Sequence, residues 1–150
     1  SRIVVDASEK IYGKKVLVIE DGPTVTHGGA KFGAGYIAAK LYGARKIVDP
    51  TEYIPEDSEL YNIYKEYPHL KYVLPTIGYN KKQTKVLLEV INRIDADVIV
   101  SGTPIDLNRV FRIHGLKCNK EIVRVRYELV EVSEKTLKDV VDEFVEKYVG

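Results

Sequence analysis

Residues 14–40, KKVLVIEDGPTVTHGGAKFGAGYIAAK, decide how the rest of the chain is read. Val16–Ile19 is an unbroken apolar run, the pattern of a strand covered on both faces, as in a parallel sheet. Glu20 and Asp21 end it, a glycine- and threonine-rich connection follows, and an alanine-rich helical pattern starts near Gly33. A buried strand, a glycine-rich crossing and a helix start form a geometry that holds anions against backbone N–H groups. Gly28, Gly29, Gly33 and Gly35 let a ligand come close to the main chain. Thr24, Thr26 and His27 offer side-chain donors, and Lys31 offers a full charge. The connection is long against the usual length of about two to six residues, and long loops in compact domains are more often functional. It carries neither the P-loop run nor a clean GxGxxG. The alternative is that these glycines only shape the βα connection and let the helix pack closely on the sheet.

Outward from this stretch, strand and helix patterns alternate. Arg2–Val5 and Arg45–Val48 read as short strands, and Leu70–Leu74 reads as a strand closed by Pro75. Ala96–Ser101 is a buried strand, and Ile122–Val132 alternates as a long edge or end strand with one wet face. Helical patterns cover 34–42, stopped by Gly43, and a segment capped by Asp57 or Ser58 and ended by Pro68. Asn80 with Gln83 forms a capping box for a helix over 81–94, with Val86, Leu87, Val90, Ile91 and Ile94 inward. A short helix over 107–113 and a last one capped by Ser133 complete the series. Tyr53, Tyr61, Tyr64 and Tyr67 are expected to cover the sheet's flank. The pattern predicts a three-layer, Rossmann-like α/β domain with a mainly parallel sheet of about five to six strands.

At 150 residues the chain is one domain with a single ample core, and 45 % hydrophobic with 30 % charged residues marks it as folded. A net charge of +1 argues against bulk binding of nucleic acid, which needs a basic face. No apolar run is long enough to span a membrane, and a cytoplasmic location is the default expectation. The single cysteine, Cys118, excludes an internal disulfide. The absence of Met and Trp, one Gln and abundant Lys, Glu, Ile, Val and Tyr match the bias of thermophile proteins.

Ligands of open parallel sheets bind beyond the carboxyl ends of the strands. That rule gathers three loops, 21–33, 76–79 and 102–106. It makes Asp21, Gly22, Thr24, Thr26, His27, Gly28, Gly29, Lys31, Thr103 and Asp106 the candidate ligand-binding residues for an anionic or phosphorylated small molecule. Asp21 and Asp106 are candidates for Mg²⁺, a hard cation shared between carboxylates and phosphates; Asp106 equally suits a helix cap. His27 is a weak catalytic candidate, since its pKa lies near neutrality, and equally a hydrogen-bond strut. Arg124 and Arg126 read either as an anion clamp or as a solvated charge ladder with Glu128. His69 and His114 have no ligand-spaced partners.

The runs VLVIEDGPTVTHGGAKFGAGYIAAKLYGARKIVDP, YPHLKYVLPTIGY, INRIDADVIVSGTPIDL and VRVRYEL resemble the C-terminal part of a family of predicted GTPases. That family is related to cyclic 2,3-diphosphoglycerate synthetase and is common in archaea and thermophilic bacteria. The likeness runs from about Lys14 to Tyr148, and EDGPTVTHGG and GTPIDL are its specific segments. The resemblance implies an upstream P-loop NTPase region of the same protein, holding a nucleotide and Mg²⁺. This chain contains no Gly-Lys-Ser/Thr run, so it is not expected to hydrolyse GTP by itself. The expectation is therefore a single α/β domain over 1–150, a C-terminal fragment of a longer protein, with 1–13 as linker or tail of the preceding region. Its function would be to bind an anionic or phosphorylated ligand beside that nucleotide. The alternative is a regulatory or oligomerisation module, as in a homodimer, docking through the tyrosine-rich flank or the 122–132 strand.

Overall fold

The computed structural model describes residues 2–22 and 33–128. Its strands are β1 (Arg2–Val5), β2 (Lys15–Asp21), β3 (Lys46–Ile47), β4 (Leu74–Thr76), β5 (Val98–Ser101) and β6 (Glu121–Glu128). Its helices are α1 (Ala34–Leu41), α2 (Glu59–Glu66), α3 (Lys81–Arg93) and α4 (Leu107–Ile113). All six strands join one sheet in the order β1-β6-β5-β2-β3, with β4 also on β2. Every pairing is parallel except β1 with β6. The α/β, mainly parallel architecture expected from the sequence is the one observed.

β2 is the centre of this arrangement. Val16–Ile19 pairs residue for residue with Val98–Ser101 of β5. The other flank of β2 is shared, with β3 on Lys15 and Val16 and β4 on Ile19–Asp21. Burial on both faces explains the unbroken apolar run. Val16 and Val18, with Val98, Val100, Val123 and Val125, pack under Ala34, Ala38 and Ala39 of α1. Leu17, Ile19 and Ile99 pack on the opposite face against Leu60 and Tyr64 of α2, Leu87, Leu88 and Ile91 of α3, and Leu107 and Phe111 of α4. Each such fully buried aliphatic side chain contributes about 2 kcal/mol.

Local signals set the helix ends. Gly43, at φ +80°, follows the last turn of α1 as a left-handed stop. Ser58 Oγ accepts from Tyr61 N–H at 3.2 Å to start α2. The Asn80–Gln83 box is complete, with Gln83 N–H donating to Asn80 Oδ1 at 2.8 Å and Asn80 N–H to Gln83 Oε1 at 3.3 Å. Asn80→Ala is expected to cost about 1 kcal/mol, read as a lower urea midpoint with an unchanged slope. The tyrosine flank is as expected: Tyr64 is buried with its hydroxyl donating to the Val73 carbonyl, and Tyr53, Tyr61 and Tyr67 pack against the same core.

Three expectations are corrected. Pro75 does not close a strand over 70–74; it lies inside β4, opposite Glu20. The flank of β4 away from β2 has no strand partner among the described residues, so the missing N–H breaks no ladder bond. Val86 is exposed, because the buried stripe of α3 runs through Thr84, Leu87, Leu88 and Ile91, and Val86 falls off that face. β6 is not a free edge: 121–124 pair with β5 and 125–128 with β1. The short strand expected over Arg2–Val5 is the outermost strand of the sheet. The strand expected through 132 and the helix from Ser133 lie outside the described residues beyond Glu128. No helix among the described residues is long and apolar enough to cross a membrane.

Candidate functional site

The winding of the chain locates the site. From β2 the chain passes through α1 to β3 on one flank, and from β4 through α3 to β5 on the other. The direction of winding therefore reverses between β2 and β5. Such a reversal opens a crevice outside the carboxyl ends of the two strands. At this crevice β2 ends in Glu20 and Asp21, and β5 runs into Gly102 and Thr103. Strand alternation then sends Glu20 towards α1 and Asp21 towards the opposite face.

Glu20 is only 1 % exposed. Its Oε1 accepts from the Tyr36 N–H at 3.0 Å, within the first turn of α1. The N-cap of α1 is Gly33, which has no side chain to satisfy that turn; the acid on the neighbouring strand does so instead. Room for the carboxylate comes from three missing side chains. A Cβ on Gly33 would stand 2.4 Å from Glu20 Oε2, one on Gly35 2.8 Å from Oε1, and one on Gly102 2.2 Å from Oε2. Burial pushes the Glu20 carboxyl up to about 7, against the lowering effect of the Tyr36 and Gly35 amides, and the charge of Asp21 adds to the rise. An acid in this state can hold or release a proton near neutrality.

On the other face four side chains meet. Tyr79 Oη lies 3.1 Å from Thr76 Oγ1 and 3.0 Å from Thr103 Oγ1. Both Thr76 Oγ1 and Tyr79 Oη reach Asp21 Oδ1 at 3.5 Å. Thr76 and Thr103 are buried, and Asp21 and Tyr79 are half-buried. The Tyr79 carbonyl is held in turn at 2.8 Å by His114 Nε2, at the end of α4. This gives His114 a structural contact.

Of the residues singled out in the sequence, Asp21 and Thr103 come together through Tyr79. Gly22 follows Asp21 with its Cα close to the Thr76 carbonyl, where a Cβ would stand 2.2 Å from that oxygen. Asp106 is the N-cap of α4 and accepts from Arg109 N–H at 3.4 Å, the role weighed against metal binding. Arg124 Nη2 donates to the Pro104 carbonyl at 3.3 Å. Thr24, Thr26, His27, Gly28, Gly29 and Lys31 lie outside the described residues, as does the side chain of Arg126. No group of three or more His, Cys, Asp or Glu suited to a metal occurs among the described residues.

Glu20, Thr76 and Tyr79 are the residues that sequence reasoning passed over. A signal for Glu20 was present: a Gly-Ala-Gly helix start without Ser, Thr, Asp or Asn must find its cap elsewhere. At the amino end of the sheet a hollow of about 260 Å³ is lined by Lys15, Lys46, Asp49, Lys71 and Asp95 among others. Within it Lys15 pairs with Asp95 and Lys71 with Asp49.

Over 144 residues, 96 % of this chain, the sequence is 53 % identical to arginine synthetase ArcE of Thermococcus kodakarensis. The match covers 31 % of that protein, so the chain spans about a third of the length of the curated relative it matches and is similar to a part of a larger enzyme. No family model matches the chain. No solved structure matches it.

Proposed function

We propose that this chain acts as a ligand-binding part of a larger synthetase-type enzyme, of the arginine-forming kind. In this reading it takes an anionic, phosphorylated ligand at the carboxyl edge of its sheet and does not itself hydrolyse nucleotide. The observation that carries the reading is the meeting of Asp21, Thr76, Tyr79 and Thr103 at the winding reversal, where the Thr24–Lys31 segment departs from β2. The start of α1 is not the anion's seat, because Glu20 already occupies the Tyr36 amide. Phosphate oxygens are instead assigned to Thr24, Thr26, His27, the Gly28–Gly29 backbone and Lys31, with Mg²⁺ between phosphate and Asp21 when a nucleotide is present. A kinship with the predicted GTPases rests on EDGPTVTHGG and GTPIDL, and a nucleotide would then be held by a P-loop region elsewhere in the whole protein.

Calorimetric titration of the chain with inorganic phosphate, phosphoglycerate, ATP and GTP, each with Mg²⁺, tests this. Saturable heat with at least one is expected, weakened about tenfold by Lys31→Ala through loss of a charge-assisted contact. Silence with all four sinks the reading.

A further inference from the structure

We propose that the hollow between α4 and the segment following it binds a small amphipathic anion, its hydrocarbon body inside and its carboxylate at Arg112 and Lys117. The site is separate from the residues gathered at the carboxyl edge, and it does not depend on the phosphate reading.

The way α4 ends builds the hollow. Gly115, at φ +72°, turns the chain out of the helix. Its N–H donates to the Arg112 carbonyl at 3.0 Å, and the next amide, Leu116 N–H, donates to the Phe111 carbonyl at 2.7 Å. This paired-bond glycine stop draws the residue after the glycine back against the last turn. Leu116 and Cys118, both half-buried, thus share one hollow with Phe111, which is only 1 % exposed. The hollow measures about 350 Å³, and the exposed Asn108, Arg112 and Lys117 complete its lining. That volume falls at the small end of the ~300–1,000 Å³ typical of ligand pockets. The Cys118 thiol donates to the Lys120 carbonyl at 3.5 Å, and burial pushes its pKa up, so it adds no charge to the wall at neutral pH.

Charge selects the occupant. Residues 107–120 carry Arg109, Arg112, Lys117 and Lys120 but no Asp or Glu, in a chain whose two signs nearly balance. Among the described residues neither Arg112 nor Lys117 has an ion pair. The acids on either side of this run are engaged: Asp106 caps α4 through Arg109 N–H, and Glu121 pairs with Lys10. An apolar interior therefore meets two cations that no carboxylate of the described chain neutralises. A carboxylate on a hydrocarbon body complements both parts. The body gains by leaving water, and the head matches the planar fork of a guanidinium. A bare anion leaves the Phe111–Leu116–Cys118 wall to water, and a neutral hydrocarbon leaves the cations unused.

The test is an NMR amide titration of the 150-residue chain at constant ionic strength. The probes are 3-phenylpropionate, 3-phenylpropanol, 3-phenylpropylammonium and acetate. Saturable shifts at Phe111, Arg112, Leu116 and Cys118 are expected with 3-phenylpropionate. Binding should be about tenfold weaker with the alcohol and with acetate, and undetectable with the ammonium. The double variant Arg112→Ala/Lys117→Ala alters only exposed side chains, so it should keep the parent Tm and bind 3-phenylpropionate about tenfold more weakly. Asn108→Trp, which places a bulky ring at the rim, should abolish the shifts. No saturable shift with 3-phenylpropionate, equal affinity for the alcohol, or unchanged affinity in the double variant would each overturn the proposal. So would shifts of these same amides that follow protein concentration without any probe, which would give the hollow to a second copy of the chain.

Discussion

Gly102→Ala is expected to destabilise the protein by about 3 kcal/mol, lowering Tm by roughly 10 °C. The added Cβ would stand 2.2 Å from Glu20 Oε2 and 2.7 Å from the backbone nitrogen of Gly35. Neither neighbour can yield cheaply. The carboxylate is pinned by the Tyr36 amide at 3.0 Å, and the Gly35 nitrogen belongs to the first turn of α1. Relief therefore moves β5 away from α1 or expels the carboxylate from its acceptor role, which leaves buried polar groups unpaired. Thermal unfolding of the variant measures the effect. A Tm within about 2 °C of the parent would show that the contact is slack.

The second large effect is a loss of stability between about pH 4.5 and pH 7 that belongs to Glu20. Its carboxyl rises from 4.5 to about 7 on folding, chiefly by burial. Below pH 4.5 the group is protonated in both states and contributes nothing to the difference. As pH climbs from there, the unfolded chain ionises while the folded one keeps its proton, so the folded state loses ground. Above about 7 the penalty is complete, at roughly 3 kcal/mol. Asp95 has the opposite sense: the hydrogen bond and charge of Lys15 lower its pKa, so its share is lost only as pH falls into the acid range. Urea unfolding at pH 5 and pH 8 reads the difference. Glu20→Gln keeps an oxygen for the Tyr36 amide and should flatten the slope; an unchanged slope would assign the pH dependence to other groups.

How far the sequence carried this reading depended on whether the deciding interaction is local. The Asn80–Gln83 box, the stop at Gly43 and the limits of α4 were legible, because each is settled by a few neighbouring side chains. The unbroken Val16–Ile19 run announced cover on both faces, and the winding rule then placed the β2 and β5 ends side by side. What escaped was decided at a distance. Pro75 sits in a strand only because β4 is paired along one flank, which the residues around it do not reveal. Val86 read as core because its apolar side chain fits the same window as Leu88, and only the facing strands choose between them. Glu20 looked like the first residue of a loop. Its burial depends on Gly33, Gly35 and Gly102, two of them at a helix start and one just past the end of another strand. Tyr79 was hidden among the chain's other tyrosines, and only its meeting with Thr76 and Thr103 sets it apart.

The fit between Glu20 and Gly33 also makes what one position tolerates depend on the other. At Gly33 the backbone is extended, at φ −90° and ψ 178°, a conformation open to any residue, and the atoms that crowd a Cβ there are those of the Glu20 carboxyl group. What forbids a side chain at position 33 is thus the length of the residue at position 20. As lineages diverge, a shorter residue at 20 removes the bar and position 33 can drift; while the glutamate stays, the glycine is trapped. A side chain at 33 is thus expected to be tolerated only beside a shorter residue at 20, which the stability of Gly33→Ala with and without Glu20→Ala would check.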